Sequence, residues 1–186
     1  MKGFIIWLGI IMISLPILVS AQEGQDSKIA IELNYYGDFI MHPGIETGIQ
    51  YNILQKEKLT LHADLNLGAY WHKWNHNAYF TQAKLGTRIT GKSGFFTDFS
   101  LGLGFMLTTP NGDIYSGNES FEIVPIRRPI NRHLAPNGSL MFGWDFSKKS
   151  ESKWMCQLGL EAFWQYQVNQ YSLPHLALKT GIIYNL

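Results

Sequence analysis

The feature that most constrains this chain is a two-residue alternation that recurs in eight separate stretches. It is clearest in residues 59–72. Leu59, Leu61, Ala63, Leu65, Leu67, Ala69 and Trp71 fall on one phase, and Thr60, His62, Asp64, Asn66, Gly68, Tyr70 and His72 on the other. Side chains in a strand point alternately to opposite faces, so period two marks a strand with one apolar and one polar face. The same alternation recurs over 29–36, 45–53, 79–90, 95–107, 134–146, 154–166 and 176–186. Eight such strands in one short chain predict an all-β fold, and at 186 residues there is room for one domain.

The first residues do not belong to that domain. Lys2 precedes an apolar run from Phe4 to Val19, closed by Val19-Ser20-Ala21. Small residues at the −3 and −1 positions suit signal peptidase, so 1–21 reads as a cleaved signal peptide and 22–186 as the folded domain. Removing the leader takes away one base and no acid, which leaves the two signs equal. There is thus no basic surplus to hold nucleic acid. Cys156 is the one cysteine, so no internal disulfide can form. Charged residues make up 16% against roughly 25% in soluble domains, while aromatics reach 14%. An exported chain poor in charge and rich in aromatics points to a membrane barrel.

The connections alternate in character. Residues 55–57, 90–94 and 147–152 are short and polar. Residues 37–44, 73–78, 109–132 and 167–174 are generally longer and richer in aromatics and histidine. Short turns at one end and long loops at the other are the layout of an outer-membrane barrel, with the short turns facing the periplasm.

Periodicity leaves open which face looks inward. A soluble periplasmic calyx of the lipocalin kind puts its apolar face inside; a membrane barrel puts it outside. Size favours the second. The apolar phase carries Trp71, Phe95, Phe99, Phe105, Phe142, Trp144, Trp154 and Trp164, too bulky a set for an eight-stranded lumen. The polar phase is rich in glycine, as a crowded interior requires. Tyr51, Phe95, Trp144, Phe146, Trp154 and Tyr184 near the short turns, and Tyr35, Trp71, Tyr79, Phe105, Trp164 and Tyr166 near the long loops, form two aromatic girdles.

In strand pattern, turn layout and girdles, nearly all of the mature chain resembles the small eight-stranded outer-membrane barrels, such as the transmembrane domain of the outer-membrane protein A family and its single-domain relatives. The resemblance implies a single antiparallel up-and-down transmembrane barrel in the outer membrane of a Gram-negative bacterium. It implies lipid and lipopolysaccharide as surroundings, with the barrel-insertion machinery and a neighbouring membrane protein as partners. Family members end on a terminal aromatic read by that machinery; Tyr184 fits this pattern and Leu186 departs from it.

Three sets of residues are candidates for a role. On the lumen phase, Glu32, Asp64, Lys84, Arg88, Asp98, Glu161 and Lys179 form an expected ion-pair network, because buried charges must be paired. Counting along adjacent strands sets Asp64 near Lys84, Arg88 near Asp98, and Glu161 near Lys179. In the longest loop, Arg127, Arg128 and Arg132 suit lipopolysaccharide phosphates, or the loop's own acids. At the long-loop rim, His72, His133 and His175 point inward by phase and are candidate metal ligands. No cofactor is expected.

No motif assigns an activity, so the reading is a non-enzymatic barrel with a structural or surface-binding role through its external loops and a lumen plugged by ion pairs. The rival is a lipid-modifying hydrolase. Outer-membrane lipid A deacylases carry a His-x-Ser-Asn motif near the outer rim. Here the match is His133-Leu134-Ala135, with alanine at the nucleophile position, and Ser139 lies roughly 20 Å further along a strand.

Overall fold

The computed structural model describes residues 28–112, 114–117, 123–126, 129–168 and 171–186. The expected leader, Arg127 and Arg128 lie outside the described residues. Eight strands form the wall: β1 (Ile29–Asp38), β2 (Gly44–Gln55), β3 (Leu59–Trp71), β4 (His76–Thr90), β5 (Phe95–Pro110), β8 (Asn131–Asp145), β9 (Trp154–Val168) and β10 (Tyr171–Asn185). Their order is β1-β10-β9-β8-β5-β4-β3-β2, and β1 pairs antiparallel with both β2 and β10. The sheet is therefore a closed up-and-down barrel with no open edge.

Inside and outside follow the period-two pattern. Leu65, Leu85 and Leu103 are 58%, 63% and 61% exposed on the outer face. Their neighbours Asn66, Lys84 and Gly102 point to the other side, where Asn66 and Lys84 are buried. The barrel is thus inverted relative to the soluble calyx considered above, which needs an apolar interior. Phe95 and Phe105 on β5, and Trp154 and Trp164 on β9, stand at the two ends of the outer apolar band. Each pair is ten residues apart, about 33 Å along a strand and about 25 Å along the axis at a tilt near 40°. That is the height of a lipid-facing band.

Two expectations about the connections change. The stretch from 167 to 174 is mostly strand, because β9 and β10 stay paired up to Val168 and Tyr171, with a register shift between Tyr171 and Leu173. The 109–132 segment holds a separate hairpin, β6 (Ile114–Gly117) with β7 (Ile123–Ile126). At the other end the turns are as short as expected, and one 3₁₀ turn, Phe146–Lys148, joins β8 to β9.

Candidate functional site

The lumen is filled in three layers. Nearest the long loops lies an aromatic plug of Tyr36, Tyr70, Phe80 and Phe163, joined by Met106. Tyr36 meets Phe80 at 4.8 Å and Tyr70 at 6.1 Å between ring centroids. Nearest the short turns, Phe96, Met155, Ile183 and Ala30 form a second apolar cluster. Tyr70 lies on the lumen phase of residues 59–72, as the alternation has it, and the other rings follow the same rule. Tyr36, Phe80, Phe96 and Phe163 all sit on the polar phase of their strands.

The middle layer is ionic. Glu161 is fully buried and accepts from Lys84, from Gln82 at 2.7 Å, from Tyr36 at 3.3 Å and from Lys179 at 3.4 Å. Lys179 also reaches Glu46 at 2.5 Å. Lower down, Arg88 donates to Asp98 at 2.9 Å and to Gln50 at 2.8 Å, and its guanidinium lies 4.9 Å from the Phe96 ring. Glu32 accepts from Gln157 at 3.3 Å. Asp64 and Lys84 are opposite each other in register, yet Lys84 reaches across the lumen to Glu161 while Asp64 faces His62.

His62 sits between two carboxylates, with Nδ1 2.8 Å from Asp64 and Nε2 2.9 Å from Asp98. Ionised carboxylates only accept, so the ring donates from both nitrogens and adds a fourth cation to Lys84, Arg88 and Lys179. These face Glu32, Glu46, Asp64, Asp98 and Glu161, which makes the layer nearly neutral. A void of about 20 Å³ remains within it, room for one water.

At the long-loop rim the three candidate metal ligands are not brought together. His72 stacks on His42 at 3.6 Å and lies 5.8 Å from His76. Burial first, and the His42 ring second, push the His72 imidazole below the usual histidine range. His133 has both nitrogens engaged, Nε2 with Thr108 Oγ1 at 3.0 Å and Nδ1 with the Tyr166 carbonyl at 2.9 Å. His175 turns Nδ1 to Asp38 at 3.0 Å and stacks on Phe163 at 4.5 Å. Among the described residues no three His, Cys, Asp or Glu side chains are arranged to hold a metal. Phase gives these rings an inward direction, and the local partners decide where each of them turns.

The loop tips are apolar. Ile40, Met41 and Trp74 are 62%, 84% and 83% exposed, and Phe39 is half exposed. Phe39 and Ile40 have φ of 46° and 68°, a region costly for bulky side chains and above all for a β-branched one. Arg132 is exposed at the start of β8.

No protein family and no curated protein matches the sequence. Solved structures do match the fold. The N-terminal barrel domain of Pseudomonas aeruginosa OprF superposes with a TM-score of 0.55 at 13% identity, covering 87% of this chain and all of that one. Neisserial surface protein A gives 0.56 at 9% identity, over 87% of this chain and 99% of that one. The fold is that of the small eight-stranded outer-membrane barrels. The outer membrane enzyme PagL shares it, with a TM-score of 0.51 at 9% identity over 84% of this chain and 99% of that one. The fold is thus shared with an enzyme and does not assign an activity by itself, so the residues of the lumen and loops must carry the functional reading.

Proposed function

We propose that the chain is an outer-membrane barrel of a Gram-negative bacterium, with 1–21 as its leader and a sealed lumen, acting as a structural or surface-binding protein through its long loops. One observation carries this reading. The interior cations Lys84, Arg88 and Lys179 are met by interior carboxylates, while Ile40, Met41 and Trp74 stand exposed on the loop tips, Ile40 on a backbone that bulky residues disfavour. Exposed apolar side chains beyond the girdle suit contact with a neighbouring membrane protein or with the lipopolysaccharide layer. Arg127, Arg128 and Arg132 would add phosphate contacts there.

The sealed lumen is tested by planar-bilayer recording of monomeric protein. Insertion without stable conductance steps is expected, because the aromatic plug and the ionic layer fill the bore in series. Large steady steps would replace this reading with a pore.

A lipid-modifying hydrolase is the second reading, and one observation favours it. The Tyr166 carbonyl can only accept, so His133 carries its hydrogen on Nδ1 and leaves Nε2 to take the Thr108 hydroxyl proton. Nucleophile, base and orienting group then stand in the order covalent catalysis uses. Thr108 and His133 are only 4% and 5% exposed, which favours a structural hydrogen bond. Mass spectrometry of lipid A from cells with and without the protein decides between them. An unchanged acylation pattern is expected; loss of an acyl chain that depends on His133 and Thr108 would establish the hydrolase.

A further inference from the structure

The short-turn mouth holds a concentration of positive charge that the lumen does not share. Lys56, Lys58, Lys148 and Lys153 border a cavity of about 410 Å³ that opens there, with the buried residues Arg88 and Met155 on its inner side. Lys28, Lys92 and Lys149 belong to the same end of the barrel, against Glu57, Asp145 and Glu151. The two acids that border the cavity leave a clear excess of cations: Glu57, and Asp145, which accepts from the Ser147 backbone N–H at 2.9 Å. Among the described residues, none of the four cavity lysines has a carboxylate within ion-pair distance. This contrasts with the lumen, where Lys84 and Lys179 are each paired.

Like charges around a concave, partly walled space raise the potential inside it and draw in a counter-ion. The lysines come from two turns on opposite sides of the mouth, β2–β3 and β8–β9, so the charges surround the opening rather than line one edge. Ammonium groups are compact point charges with rotatable donors, which suits a phosphate met from several directions. Thr60 and Asn185 also border the cavity and are neutral polar groups suited to the rest of such a ligand.

We infer that this mouth is a binding site for a phosphate group, presented either by an anionic lipid headgroup or by a free phosphate compound. The lipid source rests on the membrane placement proposed above, which puts the mouth at the inner leaflet's surface. The free source does not rest on it.

The test is lysine acetylation read by mass spectrometry, on barrel whose closure is verified by heat-modifiable gel mobility. In detergent, pyrophosphate at about ten times its Kd should slow acetylation of Lys56, Lys58, Lys148 and Lys153 by about tenfold, by mass action, and leave Lys73 unchanged. Protection should fade as salt is raised, since the charges are exposed to screening. In nanodiscs, phosphatidylglycerol is compared with phosphatidylcholine. Protection by pyrophosphate identifies a free phosphate compound as sufficient. Protection only in phosphatidylglycerol identifies the headgroup. A closed barrel with equal lysine reactivity in every condition would overturn the inference and leave the membrane placement standing. Failure to enter nanodiscs, with pyrophosphate protection intact in detergent, would instead sink the placement alone. Replacing all four lysines by glutamine should abolish pyrophosphate binding in calorimetry. The single Lys148→Gln variant should weaken it severalfold with closure unchanged.

Discussion

A Glu161→Gln barrel is expected to lose about 3–5 kcal/mol of unfolding free energy, the cost of leaving a buried cation without its partner. Glu161 receives both Lys84 and Lys179, and its carboxylate is fully buried. Lys179 keeps Glu46 when Glu161 is neutralised, but Lys84 has no second ion pair among the described residues. The damage should therefore fall on Lys84. Urea titration of the barrel in lipid vesicles, followed by tryptophan fluorescence, measures it. A double variant with methionine at both Lys84 and Glu161 should recover most of the loss, because apolar side chains of similar size need no partner. A single variant within about 0.5 kcal/mol of the parent, the range of an ordinary surface change, would mean that water reaches Lys84 and the layer is not sealed.

Gly159→Ala is expected to prevent closure altogether, at a cost above about 4 kcal/mol. A Cβ there would lie 2.1 Å from the Leu140 carbonyl oxygen and 2.7 Å from Met141 Cα. Both atoms are β8 backbone, so no side-chain rotation relieves the clash. Only separation of β8 from β9 would, and Gly159 is paired directly with Met141. Gel mobility before and after heating reports closure. Gly91→Ala is the control, since its Cβ would meet nothing nearer than 3.5 Å. Closure of the Gly159 variant with parental stability would show that the two strands have slack at this point.

What the sequence made legible was whatever depends on neighbours in the chain or in an adjacent strand. Period two placed the lumen face, and counting from the short turns set Arg88 opposite Asp98, as the register has it. The same count set Lys84 opposite Asp64, which is right for the backbone and silent about the side chain. Lys84 is long enough to cross the narrow bore to β9, and nothing in a one-dimensional pattern tells which opposite wall it meets. The inward rings of Tyr36, Phe80 and Phe163 were hidden differently. Their phase is readable, but phase does not tell that rings from separate strands meet in one plug. At the histidine rim phase gives direction and leaves convergence open, because partners such as Thr108 and Asp38 decide how His133 and His175 are turned.

The ionic layer also has a place in time. Its members come from β2 (Glu46), β4 (Lys84), β9 (Glu161) and β10 (Lys179), so no single hairpin contains the whole network. Lys179 meets Glu161 within one hairpin, but Glu46 lies across the β1–β10 seam. Until that seam zips, Glu46 lacks its lysine and an assembling sheet must keep its future interior wet. Pairing of the last strand with the first and expulsion of water from the bore are then a single late event. Its rate would be limited by the search between the two ends of the chain rather than by any local hairpin.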